Sequence, residues 1–140
     1  MPALATPSPA TLPHGLAHRL AQPVAPDPSA PPDLLPVLRA VTLAGVRSNQ
    51  PDLSARQLAV FLTVYLEPAP QTVRGLAATL NVSKPAITRA LDRLGKLDLI
   101  RRQVDPQDRR SLLVGRTLFG TSTLSALRHS CTDAWRECGA

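Results

Sequence analysis

Aromatic side chains are nearly absent from this 140-residue chain, which has two Phe, one Tyr and one Trp, at Phe61, Tyr65, Phe119 and Trp135. Four rings supply too few base-stacking platforms for recognition of single-stranded nucleic acid. Cysteine is as scarce, present only at Cys131 and Cys138. Two thiols build no disulfide framework and are compatible with a reducing cytosol. On one helix about 10.5 Å of rise would separate them, too far for a bridge within one chain. No apolar run reaches the roughly 18 residues a membrane-spanning helix needs. The N-terminus has no charged region leading into a continuous apolar stretch, so no secretory leader is expected. Gly-rich phosphate loops, nucleophile motifs and paired carboxylates outside turns are missing, and His14, His18 and His129 have no evident partner. His129 beside Cys131 lacks the ligand number and spacing of a zinc site. Neither catalysis nor a cofactor is expected.

Proline, by contrast, is abundant and unevenly placed. Ten of the fifteen prolines fall within residues 1–36, among Ala, Ser and Thr. So many prolines prevent regular structure, and the scattered apolar residues build no core. Residues 1–32 are read as a disordered or loosely extended arm, with a helical turn conceivable only at His14–Gln22. It is either an unstructured leader or, helped by Arg19, a tail that reaches a partner. Residues 33–140 form the single domain that this length supports.

Thr72 to Thr117 organises that domain. Thr72 caps a helix whose Val73, Leu76, Ala77 and Leu80 repeat at the spacing of a buried face. Asn81 breaks the pattern, and Asn tolerates the left-handed backbone of a sharp inter-helix turn. Ser83 caps a second helix, with Pro85 in its first turn, where a missing N–H costs nothing. Ile87, Ala90, Leu91 and Leu94 point one way, and Lys84, Thr88, Arg89 and Asp92 the other. A helix-turn-helix enters a major groove with a second helix of this kind.

A hairpin follows, with strands expected over Leu99–Val104 and Ser111–Arg116. Between them DPQDRR forms a turn in which Pro106 presets the backbone while Asp105 and Asp108 accept from nearby N–H groups. Arg109 and Arg110 stand at its tip, suited to a narrow minor groove or a phosphate track. The alternative for Arg110 is an ion pair with Asp108 that only shapes the tip. From Thr72 to Thr117 ten Lys and Arg face four Asp, a surplus of six equal to the net charge of the whole chain. A polyanionic partner explains that concentration, because each neutralised phosphate releases a counterion.

Two flanking helices complete the domain. The first is expected from an Asp33 cap over residues 33–48, with apolar residues on more than one face, which suggests burial against a second chain. Ser54 and Gln57 form a capping box for the next helix, which carries Leu58, Phe61, Leu62 and Tyr65 inward, and Glu67–Pro70 stops it. The last, over residues 117–137, places Leu124, Leu127, Cys131, Ala134 and Cys138 on a narrow seam like that of a two-helix contact. That seam is read as half of a dimer interface. Folding onto the chain's own first helix is the competing arrangement.

The runs LSARQLAVFLTVYLEP, TVRGLAATLNVSKPAITRALDRL and LIRRQVDPQDRRSLLVGRTLFG together resemble the MarR-type winged-helix transcription regulators. The most specific piece is DPQDRR followed by Val114, Thr117 and Gly120, and the resemblance covers Leu53 to Gly120. Asp98 stands where that family usually has Gly, and Gly115–Arg116 interrupts an otherwise apolar strand. The resemblance implies a mainly α winged helix-turn-helix with a two-stranded β wing and flanking N- and C-terminal dimerisation helices. It implies a homodimer that binds palindromic double-stranded DNA in the cytoplasm and regulates transcription, as a repressor. Ser83, Lys84, Thr88 and Arg89 are expected in the major groove, with Arg89 reading a base. Thr72, Arg74 and Arg93 are expected on phosphates, and Arg109 and Arg110 at the minor groove or its flank. A small-molecule pocket is common in the family, but with few aromatics and a short C-terminus none is expected here. The competing readings are a winged-helix protein-interaction module and a DNA-binding protein of replication or genome organisation.

Overall fold

Local capping chemistry sets most of the helix boundaries. A computed structural model describes Ser29 and residues 32–138. The arm expected over residues 1–32, including the turn at His14–Gln22, lies outside these apart from Ser29 and Pro32. Helix α1 spans Leu35–Arg47, and Asp33 Oδ1 accepts the Leu35 N–H at 3.0 Å just before it. Helix α2, Ala55–Leu66, opens with the reciprocal box, Gln57 N–H to Ser54 Oγ at 3.2 Å and Ser54 N–H to Gln57 Oε1 at 3.0 Å. Helix α3, Val73–Leu80, begins with Thr72 Oγ1 accepting from Gly75 N–H at 3.0 Å. Helix α4, Lys84–Lys96, begins with Ser83 Oγ accepting from Ala86 N–H at 3.3 Å, and Pro85 occupies its first turn. Helix α5, Leu118–Cys138, begins with Thr117 Oγ1 accepting from Gly120 N–H at 2.9 Å. Each cap satisfies an N–H that the first turn of a helix leaves without a partner.

Two turns need a left-handed residue, and both use one without glycine. Asn81 has φ 52°, with its own N–H on Ala78 O and that of Val82 on Ala77 O. Asp98 has φ 57°, and the same pair of bonds recurs there, Asp98 N–H to Gly95 O and Leu99 N–H to Leu94 O, both at 3.0 Å. This is the six-residue closure that ends many helices, completed by apolar contact across it. Leu94 and Leu99 supply that contact, both in the core.

The sheet corrects one expectation, because it has three strands where two are expected. Strands β1 (Gln71–Thr72), β2 (Ile100–Val104) and β3 (Leu112–Arg116) run antiparallel in the order β1-β3-β2. Gln71 and Thr72, just past the Pro70 stop, pair with β3, Gln71 opposite Val114 and Thr72 opposite Leu113. In β2 and β3, Ile100 faces Arg116 and Arg102 faces Val114, so these four share one side. Ile100 and Val114 bury that side in the core.

The core joins α2, α3 and α4 to the root of the hairpin. Leu76, Ile87, Leu91 and Leu94 are fully buried, each contributing about 1.5–3 kcal/mol relative to exposure. On α2 the inward residues are Val60, Phe61, Val64 and Tyr65, whereas Leu58 is exposed and Leu62 only half-buried. The expectation that Leu58 points inward is therefore corrected. Helix α2 is apolar nearly all round, so several stripes fit its sequence equally well.

Helices α1 and α5 pack against one another within the chain. No residue of α1 is buried, and Leu34, Leu35, Leu38 and Val46 remain exposed. Along the seam on α5, Ala134 is buried, Leu124 and Leu127 are half-buried, and Cys131 and Cys138 are exposed and unbridged. Leu118, Phe119 and Trp135 are exposed on the same helix. Among the described residues no helix is long and apolar enough to cross a membrane.

Candidate nucleic-acid interface

Helix α4 has two unlike faces. Ala86, Ile87, Ala90, Leu91 and Leu94 are buried, while Lys84, Thr88, Arg89, Arg93 and Lys96 are exposed on the opposite side. These sets alternate with the helical repeat, so burying one presents the other to solvent. Ser83 is exposed beside them. Its oxygen holds the Ala86 N–H, which leaves its own proton free to donate. Thr88 donates to Lys84 O at 3.0 Å, so its hydroxyl meets a further partner as an acceptor. Arg74 is exposed in the first turn of α3, and Thr72, half-buried, keeps its hydroxyl proton while its oxygen caps that helix.

The hairpin tip is built by its aspartates. Asp105 Oδ1 accepts from Gln107 N–H at 2.8 Å, while Asp108 accepts from Arg110 N–H at 3.1 Å and from the Ser111 hydroxyl at 2.8 Å. The Ser111 hydroxyl bond, then the Arg110 N–H bond, hold the Asp108 carboxyl below the usual carboxylate range. Asp108 therefore engages Arg110 through its backbone, and among the described residues no ion pair holds the Arg110 guanidinium. Arg109 and Arg110 are both exposed.

Two arginines counted in the basic surplus are used internally. Arg116 donates from Nε to Val64 O at 3.0 Å and from Nη2 to Glu67 O at 2.9 Å. These are carbonyls at the end of α2, where a cation is favoured by the helix dipole. The same guanidinium lies 5.8 Å from the centroid of the Tyr65 ring, within cation–π range. Arg102 donates from Nη2 to Asp92 Oδ1 at 2.6 Å, linking β2 to α4. The other eight cations (Arg74, Lys84, Arg89, Arg93, Lys96, Arg101, Arg109 and Arg110) are exposed and outside any ion pair among the described residues. Asp92 lies between Arg89, Arg93 and Lys96 along the exposed face of α4, so its bond to Arg102 sets the hairpin beside that face.

Tyr65 ties the hairpin root to both neighbouring helices, a role beyond the inward packing expected of it. Its hydroxyl donates to Leu99 O at 2.7 Å and accepts from Thr117 N–H at 3.0 Å. Thr117 Oγ1 in turn donates to Asp98 O at 2.6 Å. Gly120 closes the knot, since a Cβ there would overlap the Tyr65 hydroxyl and the Leu99 carbonyl. Nothing local marks these partners, because Tyr65 and Thr117 are 52 residues apart. His129 Nδ1 lies 2.8 Å from Ser125 O, one turn back on its own helix.

A sequence model of the MarR family matches residues 43–111. Among solved structures, the chain is similar to the transcriptional regulator Tm0710 from Thermotoga maritima, at 19% identity over 74% of this chain and 67% of that one, TM-score 0.59. It is 27% identical to a mutant MarR from E. coli, over 74% of this chain and 72% of that one, TM-score 0.58. It is also similar to overoxidised AbfR bound to DNA, at 23% identity over 69% of this chain and 65% of that one, TM-score 0.54. The chain thus spans between about two thirds and three quarters of the length of these structures. No curated protein matches it.

Proposed function

We propose that the chain is a MarR-family transcription regulator that grips duplex DNA as a homodimer and represses the genes it marks. The observation that carries this reading is the pairing of a solvent-facing basic helix, α4, with a cationic hairpin tip held beside it through Asp92 and Arg102. Ser83, Lys84, Thr88 and Arg89 enter the major groove. Arg89 pairs bidentately with a guanine. Thr72, Arg74 and Arg93 hold phosphates, Arg109 reaches the minor groove, and Arg110 follows its flank. The protein works in the cytoplasm by binding and not by catalysis. The exposed apolar residues of α1 and α5 meet a second copy, so that two α4 helices reach half-sites a helical turn apart.

A binding titration tests the reading. On a duplex selected from a random pool, log affinity falls steeply and linearly with log salt. Arg89→Ala costs about 1–3 kcal/mol and relaxes specificity at one base. Equal loss on all sequences would reduce Arg89 to a phosphate contact. Absent or salt-insensitive binding would refute the DNA reading and favour an acidic protein partner.

A further inference from the structure

Strand β2 is an outer strand of the sheet, with a neighbour on one side only. Past Ile100 the ribbon leaves the core, and Val104 and its cross-strand partner Leu112 are both exposed. From there to Arg109 the tip is held by the strand ladder and its own turn bonds. Arg102 stands where core support ends, opposite the buried Val114. Its 2.6 Å bond to Asp92 reaches α4 from that point.

Asp92 is conspicuous on a surface shaped for a polyanion. An acid among Arg89, Arg93 and Lys96 repels phosphate, which works against affinity. Neither partner is deeply buried, with side chains 34% and 47% exposed for Arg102 and Asp92, and exposed pairs add little to stability. What the pair does supply is geometry, since it holds the part of β2 beyond Ile100, which has left the core, at a fixed place beside the exposed face of α4. Holding a segment in its bound position beforehand lowers the ordering cost of association.

We propose that Asp92 and Arg102 are positioning residues for DNA docking, their ion pair fixing the hairpin against α4 so that Arg109 meets the groove flanking the bases that Arg89 reads. This rests on the DNA-binding reading above. The test measures the loss caused by Arg109→Ala in three full-length backgrounds, the parent, Asp92→Asn, and the charge swap Asp92→Arg with Arg102→Asp. The probe is the duplex most enriched by the parent from a random-sequence pool, at fixed salt. Urea midpoints confirm that all variants are folded. Arg109→Ala weakens binding about tenfold in the parent, twofold or less with Asp92→Asn, and about tenfold again in the swap. A general charge effect moves all affinities but not this ratio. The same ratio in every background, no recovery in the swap, or no effect of Arg109→Ala in the parent overturns the proposal. A parent that enriches no duplex overturns DNA binding itself.

Discussion

Tyr65→Phe removes one oxygen from the junction of α2, the hairpin root and α5 and leaves everything else in place. The ring keeps its tilted contact with Phe61, centroids 4.7 Å apart, and its place under Arg116. What disappears is the acceptor for Thr117 N–H and the donor to Leu99 O. A buried polar group left without a partner costs about 1–3 kcal/mol. Leu99 is 1% exposed, so its carbonyl loses its partner with no water to replace it. Thr117 is half-buried, and its N–H recovers part of its loss from solvent. Together the two amount to about 2–4 kcal/mol, a large fraction of the roughly 5–15 kcal/mol that stabilises a domain. Urea unfolding followed by circular dichroism reads this as a lower midpoint at unchanged slope. Parent and variant must be compared at one protomer concentration, because association contributes to apparent stability. A loss below about 0.5 kcal/mol would refute the assignment, since it falls short of a single unmet buried group.

Two further predictions address the turns. Asp98→Gly relieves a left-handed residue that bears a Cβ and raises stability by about 1 kcal/mol in the same urea assay; a lower midpoint would show that the Asp98 side chain offsets its backbone strain. The lowered pKa of Asp108 means that its contribution to the hairpin tip is fully present above the usual carboxylate range and is lost as pH falls through the lowered value. The tip amides of Arg110 and Ser111 therefore keep their NMR shifts through mild acid and move only below that range. Titration of Asp108 at or above an ordinary carboxylate value would contradict its bonds to the Ser111 hydroxyl and the Arg110 N–H.

What could be read from the sequence was what is local. Thr72, Ser83, Asn81 and the Ser54–Gln57 box act within three residues of themselves, and each does in the fold what its chemistry implied. The turn chemistry of Asp105 and Asp108 was legible for the same reason. Strand β1 is not legible, because two residues after a proline carry no periodic signal. Arg116 is indistinguishable in sequence from a surface cation, because its carbonyl partners, Val64 and Glu67, lie 52 and 49 residues away. Charge counting sees a guanidinium but not what it caps. In the candidate interface, residue types and spacing placed Lys84, Arg89 and Arg109 on exposed positions. The link that relates helix to hairpin is a tertiary contact, and only the fold reveals it.

The missing side chain at Gly120 has a mechanical consequence. It lets the foot of α5 rest directly on the Leu99 carbonyl and the Tyr65 hydroxyl, so this 21-residue rod is seated with no slack at the exit of α4. Such a rod is roughly 30 Å long, and a tilt of about 10° at its seat carries the far end sideways by about 5 Å. In a pair of protomers joined through these rods, the separation of the two reading heads is governed by the angle at that one seat.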